Sequence, residues 1–221
     1  MSAAVIFDLD GLLIDSEPIW REVEIRVFGD LGVALTDDLC RTTMGLGVDE
    51  VVAHWFARAP WSGPDLPAVA TTIVSEVVAT IRARGTMMPG VEHALALVES
   101  LRLRRAVASS SREILIAAAL ERMDLVGAFD VVISAEHEPF GKPHPGVYLT
   151  AARRLGVSPE ECVALEDSPN GVAAAKAAGM RCIAVPERGS VAEGAQNAHV
   201  VAGADVVLQS LADLVEAHLD A

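Results

Sequence analysis

Asp8 and Asp10 are separated by one residue, followed at once by Gly11, and preceded by an apolar run from Ala3 to Phe7. Such a run reads as a short buried strand. Ligand crevices in open α/β sheets lie outside the carboxyl ends of their strands, so two acids delivered at that point are placed for chemistry. An ionised carboxylate removed from water is costly unless a cation or hydrogen-bond donors stabilise it. The heptapeptide Val5–Gly11 therefore predicts partners elsewhere in the chain: a group that shares a metal, a base, and donors for an anion.

Three further places supply them. Ser109 ends a second strand-like run from Arg105 to Ser109 and Ser110 follows it, and Glu166 and Asp167 follow another at Val163 to Leu165. Lys142 lies between these, in Gly141-Lys142-Pro143-His144-Pro145. Each has an ordinary structural role when taken alone. Serines cap helices, a loop lysine is commonly solvated, and acids suit the first turn of a helix. Their shared position at successive strand ends sets them apart from coincidence. Clustered carboxylates suit a hard cation such as Mg²⁺. A lysine and a serine at a helix N-terminus suit an anion. Metal, base and donors around an acid nucleophile describe phosphoryl transfer, which consists mostly of positioning and charge neutralisation.

The elements that would hold these residues alternate. After Gly11, Ser16 is placed as an N-cap and Pro18 in a first helical turn, with Ile19, Val23, Val27 and Leu31 at helical spacing. Further helices are expected over Val48–Arg58 and Leu66–Arg84, the latter stopped at Gly85. Beyond Pro89 the pattern changes. A helix from Val91 to near Leu103 leads to the Arg105–Ser109 strand, and Ser110 and Glu113 then have capping-box spacing. Strands at Val131–Ile133, Val163–Leu165, Cys182–Val185 and Val206–Leu208 are separated by helices from about Pro145 to Leu155 and from Ser168 to Gly179, with a terminal helix from about Ser210. This alternation predicts an α/β protein with a parallel sheet covered on both faces. The helical block from Ser16 to Met88 interrupts it just after the first strand. It is expected to form a small domain of its own (16–88) inserted into an α/β core (1–15 and 89–221), beside the crevice, as a lid.

Bulk composition is that of a globular protein with a sizeable core. The 221 residues are 52% hydrophobic and 22% charged, and 17 Lys and Arg against 31 Asp and Glu give a net charge of −14. That charge argues against nucleic acid or an anionic membrane as partner, and makes local positive charge or a metal necessary for any anionic substrate. Cys40, Cys162 and Cys182 form no close pair, which suggests free thiols in a reducing compartment. With no signal-like start, the expectation is a cytoplasmic protein, monomeric by default. His54, Trp20, Trp55 and Trp61 are expected in the core of the helical block, and His144 in a loop. His93, His137, His199 and His218 show no ligand spacing.

The set Asp8-Leu9-Asp10-Gly11-Leu12, Ser109, Lys142 in Gly-Lys-Pro-His-Pro, and Glu166-Asp167-Ser168 resembles the haloacid dehalogenase superfamily of phosphohydrolases across the whole chain. Leu13-Ile14-Asp15-Ser16-Glu17-Pro18 is similar to the branch holding β-phosphoglucomutases and sugar-phosphate phosphatases, and Trp55 to Pro64 resembles the 2-deoxyglucose-6-phosphate (hexitol phosphate) phosphatases. The resemblance implies a Rossmann-like core with a small helical cap. It implies Asp8 as nucleophile, forming an aspartyl-phosphate, and Asp10 as general acid and then base. Mg²⁺ would be held by the Asp8 side chain, the Asp10 carbonyl and Asp167, with Glu166 nearby or in its outer shell. Ser109, the backbone at Ser110, and Lys142 would bind the phosphoryl group of a small phosphorylated sugar. Mutases of the branch typically carry a histidine where Trp20 stands and an arginine near Val48, which favours hydrolysis here. The alternatives are β-phosphoglucomutase-type transfer and a phosphatase of another small metabolite such as phosphoglycolate. A non-catalytic binding module should have lost one of the acids. A dehalogenase would lack Asp10.

Overall fold

The computed structural model describes residues 2–43, 46–186 and 202–220. Strand β1 (Ala4–Phe7) is followed by helices α1 (Glu17–Asp30), α2 (Asp37–Arg41), α3 (Val48–Arg58) and α4 (Leu66–Arg84). Then come α5 (Val91–Ser100), β2 (Arg104–Ser109), α6 (Glu113–Arg122), β3 (Val131–Ser134), α7 (Gly146–Leu155), β4 (Cys162–Glu166), α8 (Pro169–Ala177), β5 (Arg181–Ala184), β6 (Val206–Val207) and α9 (Glu216–Leu219). The fold is α/β, as the alternation predicted.

The six strands pair in parallel in the order β3-β2-β1-β4-β5-β6. The chain steps from β1 outward to β2 and β3, then crosses back to β4 on the other side of β1. The order thus reverses between β1 and β4, which is where open α/β sheets bind ligands. Strand alternation sorts the two faces. Val5, Phe7, Val107, Leu165 and Ile183 pack with α5 and α6. Ala4, Ile6, Ala106, Ala108, Ala164 and Cys182 pack under α7 and α8, themselves rich in alanine. The small residues on that second face let its helices lie close. Cys162 and Cys182 sit there as buried free thiols, as expected, and Cys40 is buried as well.

Two expected features differ. The terminal helix from Ser210 is instead a 3₁₀ turn over Leu211–Asp213, followed by the four-residue α9. The Leu214 carbonyl, which a continuing helix would use, bonds to His93 Nε2 at 2.8 Å. The Ser110–Glu113 capping box does not form: Arg112 occupies the N-cap position of α6. The Glu113 N–H donates to Glu136 Oε2, and among the described residues the Ser110 hydroxyl has no partner.

Helices α1–α4 leave and rejoin the sheet through two antiparallel connectors. Asp15 N donates to Thr86 O and Met88 N to Leu13 O, each at 2.9 Å, around an Ile14–Met87 bridge. The apolar cluster on one face of the sheet runs without a break into this block. α4 packs on α1 and α3 and also on α6. By length and composition α4 could cross a membrane, but Val69, Ile73, Val77 and Ile81 are buried among these helices.

Candidate active site

Asp8 extends β1 by one residue, its N–H donating to Leu165 O at 3.0 Å. Because Phe7 pairs with Leu165, Asp8 comes level with Glu166, and alternation turns both toward the face of Ile6 and Ala164. Two like charges side by side on one face repel. Lys142 lies between them: Nζ is 2.5 Å from Asp8 Oδ1, 2.6 Å from Glu166 Oε1 and 3.0 Å from Ala108 O. The fully buried Tyr148, from α7, donates its hydroxyl to the same Glu166 oxygen at 2.6 Å. The other oxygen, Oε2, accepts from the N–H groups of Asp167 and Ser168 and from the Ser168 hydroxyl. Glu166 thus has both oxygens engaged, and it anchors Lys142.

Asp167 differs from its neighbour. Among the described residues its carboxylate accepts no hydrogen bond, and burial holds it well above the usual carboxylate range, with the Asp8 and Glu166 charges adding to the effect. Burial likewise pushes Asp8 up to about 7; Lys142 draws it down while Glu166 and Asp10 raise it. Burial opposes the charge on Lys142, but Asp8 and Glu166 more than offset it and keep the ammonium protonated. One buried ammonium therefore faces three buried carboxylates, Asp8, Glu166 and Asp167, whose oxygens lie within 4.8 Å of one another. A divalent cation fits that imbalance and that oxygen-only donor set. Among the described residues the Asp10 carbonyl oxygen also accepts no hydrogen bond.

Two glycines make the cluster possible. Gly11 has φ +78°, and a Cβ there would lie 2.0 Å from Asp167 Oδ2. A Cβ at Gly171 would lie 1.8 Å from Glu166 Oε1. Gly11 stood out in sequence; Gly171 carried no signal, because the close approach is between β4 and α8.

Asp10 is held from two sides. Oδ1 accepts from the Ser16 hydroxyl at 2.7 Å and the Trp20 indole at 3.3 Å. Oδ2 accepts from the Ser111 hydroxyl at 2.7 Å and the Ser109 hydroxyl at 3.4 Å. This corrects two expectations. Ser16 does occupy the N-cap position of α1, but its side chain makes no capping bond, because its hydroxyl is committed to Asp10. Trp20 is not simply core; its N–H is a site donor. Trp55 is buried as expected, and Trp61 packs at the margin against Phe28 and Phe56. Ser111 was missed although it stands in a run of three serines, and Tyr148 was missed because nothing local marks it.

Ser109, Ser110 and Lys142 meet Asp8, Asp10 and Asp167 around one cavity, whose opposite wall comes from α1, α2, α3 and α4. Among the described residues the buried Ser110 hydroxyl has no hydrogen-bond partner. The cavity is about 80 Å³. Across its rim Arg112 Nη2 bonds both oxygens of Asp49 on α3, at 2.8 and 3.0 Å. His144 is a loop residue, its ring tilted on Phe140 and its Nδ1 accepting from Gly146 N. His93 bonds the Leu214 carbonyl, His137 pairs with Glu113 and His218 accepts from the Val215 N–H, and none of the three lines the cavity; His199 lies outside the described residues.

The chain matches a family model for haloacid dehalogenase-like hydrolases over residues 3–179. It is 44% identical over 212 residues to hexitol phosphatase B of Escherichia coli K12, covering 96% of this chain and 93% of that protein. It is 37% identical over 180 residues to the phosphorylated carbohydrates phosphatase of Thermotoga maritima, covering 81% and 83%. The fold superposes on CbbY from Rhodobacter sphaeroides, solved with phosphate, with a TM-score of 0.86 at 30% identity over the full length of both chains. A switch-point site of this composition, matched over most of the sequence by these relatives, means that the chain belongs to the haloacid dehalogenase-like hydrolase family.

Proposed function

We propose that the protein is a Mg²⁺-dependent phosphatase of small sugar phosphates, hexose or hexitol, acting through an aspartyl-phosphate on Asp8. The observation that carries the reading is the buried Asp8–Lys142–Glu166 arrangement beside Asp167, with Asp10 two residues away and gripped by four donors. The names of the relatives, a hexitol phosphatase and a phosphatase of phosphorylated carbohydrates, support the substrate class.

Asp8, the Asp10 carbonyl and Asp167 would hold the metal, with Glu166 acting through Lys142 and Ser168 rather than as a ligand. Bound there, the ion neutralises phosphoryl charge and fixes the phosphate against its nucleophile. Ser109, the Ser110 backbone and hydroxyl, and Lys142 orient the phosphoryl oxygens. In the first step an Asp8 oxygen forms a bond to phosphorus and the bond from phosphorus to the sugar oxygen breaks, while Asp10 gives that oxygen a proton. In the second step Asp10 takes a proton from water as the water oxygen attacks phosphorus. The acyl-phosphate bond then breaks, releasing inorganic phosphate and restoring Asp8. A covalent intermediate divides one hard displacement into two easier ones.

Residues 16–88 serve as the cap over a core of 1–15 and 89–221. The cavity of about 80 Å³ is well below the ~300–1,000 Å³ of ordinary ligand pockets. Substrate enters as the block swings away on the Leu13–Asp15 and Thr86–Met88 connectors, releasing Asp49 from Arg112. Closure brings Ser16 and Trp20 onto Asp10 and excludes bulk water. Trp20, placed on Asp10, favours hydrolysis over a mutase reaction.

The test is phosphate release from a panel of sugar phosphates and phosphoglycolate, with Mg²⁺ and with EDTA, for the wild type and Asp8→Asn. Release that needs Mg²⁺ and vanishes in a folded Asp8→Asn variant supports the reading. Wild-type turnover in that variant would sink the covalent route. Glucose 6-phosphate formed from glucose 1-phosphate and a bisphosphate activator, without free phosphate, would make the protein a mutase.

A further inference from the structure

The cap wall of the cavity contains a buried acid that the two-step reaction does not use. Glu24 on α1 is 7% exposed and lines the same cavity as Asp8, Asp10 and Lys142. It lies one helical turn beyond Trp20, on the same face of α1, so the residue that touches Asp10 and the residue deeper in the cap look into one space. Among the described residues the Cys40 thiol donates to it and the charge of Arg21 lies nearby. A thiol is a weak donor, and a carboxylate offers about four acceptor sites. Arg21 is itself engaged by Asp37 at 2.8 Å and Glu17 at 3.5 Å. Around it the wall carries Leu46, Val48, Val51 and Val74, and Thr43, whose hydroxyl donates to the Cys40 carbonyl. A strong acceptor on this wall, facing the phosphate-binding corner, is suited to hydroxyl groups. The carboxylates of Glu17 and Glu24 both line the cavity, which makes the wall unfavourable to a second anion.

We propose that Glu24 accepts hydrogen bonds from hydroxyls at the end of the substrate remote from its phosphate, selecting neutral polyhydroxylated phosphate esters over those ending in a carboxylate. This rests on the phosphatase reading and deepens it.

The experiment measures kcat and KM of wild type, Glu24→Gln and Glu24→Leu at about pH 8, where Glu24 is ionised, on sorbitol 6-phosphate, phosphoglycolate and p-nitrophenyl phosphate. Thermal unfolding of each variant accompanies the kinetics. The wild type should prefer sorbitol 6-phosphate to phosphoglycolate. Glu24→Leu should raise KM for sorbitol 6-phosphate by about tenfold or more, the effect of losing a hydrogen bond to a charged group. Glu24→Gln should fall between, with kcat and the p-nitrophenyl phosphate constants nearly unchanged in both. An equal loss on all three substrates would make Glu24 a packing residue and overturn the proposal, as would an unchanged KM for sorbitol 6-phosphate. A wild type that cleaves p-nitrophenyl phosphate without preferring the polyol overturns only this inference. One that cleaves none of the three overturns the phosphatase reading with it.

Discussion

The Tyr148 hydroxyl donates to Glu166 Oε1 at 2.6 Å, on the oxygen that also accepts from Lys142. The tyrosine touches neither Asp10 nor Asp167 in any hydrogen bond, yet it helps set where the Lys142 charge sits. Tyr148→Phe leaves Glu166 Oε1 to Lys142 alone. The expected cost is about 1.5–3 kcal/mol of stability, the worth of a hydrogen bond to a charged group, read by urea unfolding. Turnover should fall less than about tenfold, because Lys142 keeps both carboxylates and remains beside Asp8.

The glycines at the cluster should respond differently from glycines elsewhere. A Cβ at Gly171 meets Glu166, whose carboxylate is pinned by Lys142, Tyr148 and Ser168 and cannot give way. A Cβ at Gly11 meets Asp167. Gly32 has a similar φ, +81°, but open space around it. Gly32→Ala should cost about 1 kcal/mol of backbone strain and leave activity intact. Gly11→Ala should in addition raise the Mg²⁺ concentration for half-maximal activity by about tenfold or more, as expected when a metal-holding carboxylate is displaced. A magnesium titration of both variants checks this.

The grip on Asp10 predicts effects on kcat rather than on binding. Ser111→Ala and Trp20→Phe each remove one donor from Asp10 while keeping most of the side-chain volume. Each should lower kcat by about tenfold, a fraction of what a positioned acid–base group contributes, with KM for the sugar phosphate little changed. The pair should combine less than multiplicatively, because both position one carboxylate. Steady-state kinetics of the two single variants and the double variant measure this.

Glu24 also predicts a pH dependence of stability. Burial pushes its acid up to about 7 from 4.5, against the Cys40 hydrogen bond and the Arg21 charge that draw it down. Between those values the folded chain keeps a proton that the unfolded chain has released, so this group's contribution falls as pH rises from about 4.5 to 7 and is level above. Glu24→Gln removes the effect. The stability difference, variant minus wild type, should grow by about 3 kcal/mol or less between pH 5 and pH 8. Urea unfolding in EDTA at the two pH values reads it, and a flat difference would show that Glu24 is solvated.

Much of the site was legible because chemistry at a strand end is written locally. Asp8, Asp10 and Gly11 follow one apolar run, Glu166 and Asp167 follow another, and a parallel sheet must bring such ends to one edge. The turn before α6 was misread for a related reason. Ser110 and Glu113 have the spacing of a capping box, but Glu136, from the turn after β3, takes the Glu113 N–H, a long-range competitor that no local pattern announces.

By itself the sequence determined the α/β class, the helical block after β1, and which acids, serine and lysine gather at the sheet edge, because periodicity and strand-end residues are local properties. Only the tertiary structure decided how they divide their work. The register of β1 on β4 sets Asp8 level with Glu166, so that one lysine must serve both. The packing of α7 brings Tyr148 to the same oxygen, and the return of α1 over the crevice places Ser16 and Trp20 on Asp10 and Glu24 in the facing wall. These are contacts between residues distant in the chain. They depend on which faces meet when the layers pack, and the Asp8-Leu9-Asp10 stretch carries no record of them.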